Sequence, residues 1–483
     1  MAYSDNFPAT RPVFQADFAN GGRIDPRATF SRSDTPPTYA APSAVHYWSN
    51  EKHLSSENLL TYSENFGAWS QAGLVSRTGG QTDPAGGSTA FTITENSSAG
   101  YHRNHLNIKL NESFAFVVYA KQNSGTRYLC LTLLGTNNDY ELAIFDLAGG
   151  TPTTVSGGSS GFANVSATQT ASGNGFYKCV LKATGYTNTA NVSIHNSTTS
   201  AGINTTVGLP SYTGDGSSAI DVAFASLSST GATDYNSTSG SIHREYAPTL
   251  KSVATAGQPR FEYDPSSDGQ SMGCLIESQA TNLVTYSEDF SSWATTRSQI
   301  ESSAAIGPDG TLSADRFAED SSELGNNSHY MQSNFSTSNS AQYTMSVYAK
   351  HGGGANRYCQ LRVMGVGSGF AFSNFDLSNG TYVGGGGSIR DSYSITSVGN
   401  GWHRLTMTFT NNSSGGTVNG MGVVLAAANS EMHQYTSDDY SGFLLYGAQC
   451  ETGAHASSLV ATSGSAATRA LESLSVATAD IGY

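Results

Sequence analysis

The chain has 483 residues, a net charge of −14 and only 12% charged residues. A surface this acidic repels phosphate backbones and excludes nucleic acid as a natural partner, and the length suits two or three domains. With 53 Gly, 25 Tyr and 21 Phe, and no long i, i+3, i+4, i+7 pattern, the short aromatic and β-branched runs split by Gly, Asn and Ser predict an all-β chain.

Residues 1–57 open with MAYSDNFPATRP, which lacks a basic patch followed by an apolar core, so no secretory signal is expected. They carry Pro and Arg in place of strand-length alternation and are expected to form an attachment arm docking on another protein. At residue 58 a long internal repeat begins. Asn58-Leu59-Leu60-Thr61-Tyr62-Ser63-Glu64-Asn65-Phe66 returns as Asn282-Leu283-Val284-Thr285-Tyr286-Ser287-Glu288-Asp289-Phe290, with Trp69 and Trp293 following at equal spacing. Val118–Lys121 pairs with Val347–Lys350, Arg127-Tyr128 with Arg357-Tyr358, and Phe145-Asp146-Leu147 with Phe375-Asp376-Leu377. Gly173–Lys178 pairs with Gly399–Arg404, and Thr230-Gly231-Ala232 with Thr452-Gly453-Ala454. The copies are too long for solenoid repeats and suit complete sandwich domains, so 58–232 and 282–454 are expected to superpose. The predicted organisation is an arm (1–57), a first β-sandwich module (58–250), a linker (251–281), a second module (282–463) and a C-terminal tail (464–483).

Period-two alternation assigns strand faces. Met345, Val347 and Ala349 point inward and Ser346, Tyr348 and Lys350 outward; Cys359, Leu361 and Val363 point inward and Tyr358, Gln360 and Arg362 outward; Leu405, Met407 and Phe409 point inward and Trp402, Arg404 and Thr406 outward. Aromatic plates beside hydrogen-bonding groups are what sugar binding needs. Tyr348, Lys350, Tyr358, Arg362, Trp402 and Arg404 are therefore the candidate glycan-binding surface. Two other readings stay open: strand-end aromatics also cover sheet edges or pack on neighbouring domains, and a bulge after Gly401 would turn Trp402 into the core. The equivalent face of copy 1 is more apolar, through Val117, Cys130 and Val180, and is expected to bind less or to be covered by a neighbour.

No catalytic constellation emerges, and no enzyme is expected. Gly157–Gly161 fits G-x-S-x-G but lacks the strand–elbow–helix context. There is no HExxH and no P-loop. Asp438-Asp439 reads as turn chemistry, and His102 and His105 have no clear ligand set. Glu64 and Glu288 are carboxylates of a kind that suits calcium, with Asp221 as partner, but the aligned position in copy 2 is Phe443, so no metal and no cofactor are expected. The five widely spaced cysteines read as buried free thiols, as in a protein made in a reducing cytoplasm. No run approaches the length of a membrane span, so no membrane insertion is expected.

The motif Asn-Leu-Leu-x-Tyr-Ser-Glu-x-Phe-x-x-Trp, with Val-Tyr-Ala-Lys, Phe-Asp-Leu and Gly-Asn-Gly-Trp, resembles carbohydrate-binding-module-like domains of tailed-phage virion proteins, especially marine ones. Pro259–Pro265, Gly273–Leu283, Tyr446–Gly453 and Thr468-Arg469-Ala470 are similar to that family's lead-in, closing strand and tail. Copy 1 departs from it at Ala223–Leu227 and at Phe176. The resemblance implies tandem jelly-roll sandwiches in a tail fibre, head fibre or capsid decoration. Other virion proteins and host-surface glycans would be the partners, the virion the location, and a homotrimer one arrangement. A purely structural cement protein and a polysaccharide depolymerase are the rival readings.

Overall fold

A computed structural model of the chain describes residues 28–32, 45–71, 74–157, 161–198, 203–204, 208–253, 257–266, 270–320, 328–364, 370–411 and 420–476. Among them are only strands and one-turn 3-10 segments, of which Phe66–Ala68 and Phe290–Ser292 are equivalent in the two copies. The chain is all-β, and its two modules are antiparallel sandwiches of two six-stranded sheets each.

The strand order is the same in both. Sheet A of module 1 runs Thr153–Gly157, Tyr140–Phe145, Tyr128–Leu134, Thr189–Ser197, Arg103–Lys109, Ser70–Gln71; module 2 repeats it as Thr381–Gly386, Phe372–Asp376, Tyr358–Met364, Gly420–Ala426, His329–Ser333, Ala294–Thr296. Sheet B of module 1 runs Ala163–Ala171, Tyr177–Thr184, Ser113–Ser124, Ala219–Ser228, Ala90–Glu95, Val75–Gln81. Its counterpart is Arg390–Gly399, Trp402–Thr410, Gln342–His351, Gly442–Thr452, Ala314–Glu319, Ser298–Ala305. The matched motifs occupy the same strands throughout, as the duplication requires.

The repeated motif is structural. The Asn58 side chain makes four buried hydrogen bonds: it donates to the carbonyls of Ala225 (3.1 Å) and Asn236 (2.8 Å) and accepts from the amides of Leu60 and Leu227 (both 3.1 Å). Asn282 repeats the pattern with Ala448, Val460, Val284 and Cys450. Each asparagine thereby ties the first residues of its module to the closing strand, satisfying groups that burial would otherwise penalise. Phe66, Trp69, Phe290 and Trp293 sit in the cores, and each indole N–H donates to the carbonyl seven residues earlier, Tyr62 or Tyr286. A second duplicated device closes one end of each sandwich. Arg127 pairs with the buried Glu95, which also accepts from the Tyr212 hydroxyl and the Asp215 amide. Arg357, Glu319, Tyr435 and Asp438 repeat it. His102 and His329 stack on the tyrosines of these clusters and hydrogen-bond their carbonyls.

The regions outside the modules differ from expectation. Val45–Asn58 is a strand, not a free arm, and pairs antiparallel with His243–Val253. Module 1 therefore hangs at the tip of a two-stranded ribbon whose base lies on module 2, where Val45 bridges Val460. Ala28–Arg32 pairs with Glu472–Val476 of the tail, while 1–27 and 33–44 of the arm and 477–483 of the tail lie outside the described residues. The linker folds as the hairpin Arg260–Asp264/Gln270–Leu275, and Ala280–Asn282 pairs with Ala467–Arg469. A buried ion cluster locks these pieces together. Arg260 bonds both oxygens of Glu472 (3.1 and 2.6 Å), Glu277 (2.7 Å) and the carbonyl of His46 (2.9 Å); Arg469 reaches Glu277 at 2.9 Å. Local alternation could not reveal this, because every partner is about 190 or more residues away except the Arg260–Glu277 pair.

The modules dock directly. Lys178 of module 1 reaches both oxygens of Glu301 in module 2 (2.8 and 2.7 Å), and Thr233 donates to the same carboxylate (2.6 Å). Tyr440 of module 2 packs against Tyr119 and Phe224 on the outer side of sheet B of module 1, in a cluster with Val117, Phe176 and Val180. That face of copy 1 is covered, as its apolar character foretold. Cys130 belongs to sheet A instead, with Tyr140, Leu142 and Ile144.

Candidate ligand cleft

Alternation assigned the faces of the three strands correctly. Met345, Val347, Ala349, Cys359, Leu361, Val363, Leu405, Met407 and Phe409 are all in the module 2 core, so their neighbours point out. The six candidate residues nevertheless do not form one surface. Tyr358 and Arg362 belong to sheet A, whereas Tyr348, Lys350, Trp402 and Arg404 belong to sheet B on the opposite side of the sandwich. Arg362 pairs with Glu431, and Tyr358 is half-buried.

On sheet B, Tyr348 and Trp402 are each only 2% exposed. No bulge turned Trp402 inward. The ribbon lies over the sheet and brings Trp48 and Leu250 onto these rings, with Trp48 edge-on to Tyr348 at 6.0 Å. Burial depresses the Lys350 ammonium pKa, opposed by Asp234 and Glu245 of the module 1 side. Of the six, Arg404 and Tyr348 remain beside open space.

That space is a cleft of about 740 Å³ between the outer face of sheet B in module 2 and the linker hairpin. Its floor is a ladder of hydroxyls. Strand register sets Ser392 opposite Thr408, which faces Thr344, and Ser394 opposite Thr406, which faces Ser346. Ser394 and Thr406 are 2.7 Å apart, and Thr344 and Thr408 2.9 Å. Arg404 lies over the Tyr348 ring at 5.4 Å and donates to Ser346 Oγ (3.2 Å) and the Ser457 carbonyl (2.5 Å). Trp48 and Leu459 line the cleft together with Glu262 and Met272 of the hairpin. Burial pushes the Glu262 carboxyl above its ordinary range, with the Trp48 amide opposing as its hydrogen-bond donor. Glu277 differs: burial would raise it, but Arg469 and Arg260 outweigh burial and hold it low. The cleft thus offers paired hydroxyls, one guanidinium and one easily protonated carboxyl against aromatic walls, a set suited to a polyhydroxylated ligand.

The remaining sequence candidates are accounted for structurally. Glu64 accepts from Tyr235 (2.7 Å), and Glu288 accepts from Tyr446 (2.5 Å). Asp221 is held by Thr92 (2.6 Å) and Asn123 (2.8 Å), and shares no site with Glu64. Asp438 caps its own turn through Tyr440 and Ser441, as turn chemistry requires. Among the described residues all five cysteines are free, with four buried and Cys274 half-buried, and burial raises Cys130 to about 12. Residues 158–160 of the G-x-S-x-G stretch lie outside the described residues. The hydroxyl floor was missed because Ser and Thr on an alternating strand look like any solvated face. The repeated His102/His329 and Glu95/Glu319 pairs were findable from the repeat offset alone.

No known protein family matches the sequence, and no curated protein matches it. Among solved structures, the chain is similar to the N-terminal CBM22-1-CBM22-2 tandem domain of Paenibacillus barcinonensis Xyn10C, at 10% identity, covering 83% of this chain and 99% of that one, with a TM-score of 0.22. An overlap this loose assigns no residue of this chain to any role.

Proposed function

We propose that the chain is a non-enzymatic adhesive subunit that binds glycan in the sheet B cleft of module 2, and that it serves in the virion of a tailed phage. The observation that carries the binding reading is the outer step of the hydroxyl ladder, Ser394 and Thr406 paired at 2.7 Å in a cleft also lined by Arg404 and Trp48, above the buried pair Thr344–Thr408. Sugar hydroxyls exchange hydrogen bonds with such rows, and apolar sugar faces rest on the aromatic end. The virion setting rests on the motif resemblance of residues 250–475 and on an acidic, sparsely charged chain. Single-site affinity is expected to be weak and to be raised by many copies on one particle.

The test is a glycan array probed with the full chain and with Thr406→Val and Arg404→Ala variants. Retention by the parent and loss by both variants supports the reading; equal retention by all three sinks it. A second reading, a cement or adaptor protein binding other virion proteins, is favoured by exposed apolar residues near the linker hairpin. Met272, Leu471 and Ile276 are 70%, 62% and 45% exposed. Incorporation into particles that persists after the cleft variants, and fails on Ile276→Asp with Leu471→Asp, would favour it.

A further inference from the structure

The outer face of sheet A in module 1 carries a basic cluster with unmet hydrogen-bonding capacity. Register aligns Arg103, His195 and Cys130 in one row and His105, Ser193 and Thr132 in the next. All six point away from the core, because Val192, Ile194, Leu131 and Leu133 between them point into it. His195 is fully buried, and among the described residues neither ring nitrogen has a hydrogen-bond partner. Arg103 Nε and His105 Nδ1 are also buried without one. Arg103 does use one terminal nitrogen, on Asn191 Oδ1 (2.8 Å) and Ser193 Oγ (3.2 Å), both neutral acceptors. Among the described residues no carboxylate is named among the charges acting on these three side chains; they feel each other, His102 and Tyr101. A partly buried guanidinium beside two histidines, with no acid near, is unusual in a chain of net charge −14, since buried charges are normally paired.

The second copy shows that the fold does not demand this cluster. Tyr330, Gln332 and Val424 stand where module 1 has Arg103, His105 and His195. Nearby in module 2, Gln360 bonds Asn374 (2.7 Å) and Ser430 (2.9 Å), Asn374 bonds Asn429 (2.9 Å), and the arginine of sheet A, Arg362, has a carboxylate partner in Glu431.

We propose that Arg103, His105 and His195 of module 1 form a binding site for an oxyanion, a sulfate, phosphate or carboxylate group carried free or on an acidic glycan. Arg103 supplies the charge through Nε and its second terminal nitrogen, and each neutral imidazole supplies one N–H donor. Neutral histidines suffice, because burial keeps both rings below their ordinary pKa. This site lies in the other module from the cleft and does not depend on the cleft binding glycan.

The experiment is calorimetric titration of the full chain at constant ionic strength with sodium sulfate, sodium phosphate, a uronate disaccharide, a sulfated oligosaccharide and its unsulfated parent, with chloride as the background ion. Saturable binding of at least one oxyanion is expected, weakened about tenfold or more by Arg103→Gln and several-fold by His105→Gln, and unchanged by Thr406→Val in the cleft. Tighter binding of the sulfated or uronate sugar than of the inorganic ions assigns the site to an acidic glycan, and equal binding assigns it to a free ion. No saturable oxyanion binding by the parent, or unchanged binding in both variants, overturns the proposal. If Arg103→Gln does not fold, His105→Gln at the exposed side of the cluster decides alone.

Discussion

Module 1 and module 2 share the twelve strands of their two main sheets and differ in what lies on their outer faces. Both keep the four-bonded asparagine, the core tryptophan and the arginine–glutamate–tyrosine cluster. Sheet B of module 1 is closed by Tyr440 of its sister, whereas sheet B of module 2 is covered in part by the ribbon and borders a cleft at Ser394 and Thr406. Sheet A of module 1 carries a basic cluster that has no carboxylate partner among the described residues, whereas in sheet A of module 2 the arginine, Arg362, pairs with Glu431. After duplication the residues that hold each sandwich together stayed, and the surfaces were free to diverge. Identity between copies therefore reports folding here.

Breaking a shared device should cost most. Asn282→Ala leaves two amides and two carbonyls of module 2 unpaired in the interior, at about 1–3 kcal/mol for each buried group left unsatisfied. Module 2 should melt first in calorimetry, while Asn58→Ala should do the same to module 1. A single shared drop for both variants would mean the modules unfold only as one body. Trp402→Ala comes next, at about 3–5 kcal/mol, because the ring is packed under the ribbon and is not offered to ligand. The fall should appear as a lower melting temperature together with faster proteolysis of the ribbon.

The docking contact gives a pH test of similar or smaller size. Burial alone would raise the Glu301 carboxyl, but Lys178 outweighs it and holds the value below the ordinary 4.5. A carboxyl depressed in the folded state contributes stability above its unfolded pKa and loses it as pH falls through the folded value. Acidification from about pH 5 to pH 3 should therefore loosen the modules, seen as a larger radius of gyration in small-angle scattering. Glu301→Gln should remove most of that pH response. The smallest effect is expected on the open floor of the cleft. Thr406→Val removes one half-buried hydroxyl, changes stability by less than about 0.5 kcal/mol, and weakens glycan retention by an amount equivalent to about 0.5–1.5 kcal/mol.

Much of this was readable in advance because it is periodic or repeated. Alternation gave the inward set Met345, Val347 and Ala349 and the outward set Ser346, Tyr348 and Lys350 without any structure. It could not say that Tyr358 and Tyr348 belong to different sheets, since strand pairing in a sandwich joins residues far apart in sequence. Nor could it say that Trp48 would land on Tyr348, 300 residues away. Outward is a property of a strand, but exposed is a property of the whole chain. The binding surface was consequently placed on rings that the chain itself covers, and the hydroxyls beside them were passed over.

The ribbon that carries module 1 has a further consequence. Residues 58 and 243 lie opposite each other at its tip, and between them runs the whole of module 1. Module 1 is thus a guest domain held by two adjacent strands, and module 2 with its ribbon, hairpin and paired terminal strands is the host. A guest attached in this way can be excised and replaced by a short turn, or exchanged for another sandwich, without altering the register of a single host strand. The host would gain a bared Tyr440 and an unpaired Glu301 and would keep its cleft. Such a plan separates the part that must stay from the part that can be traded.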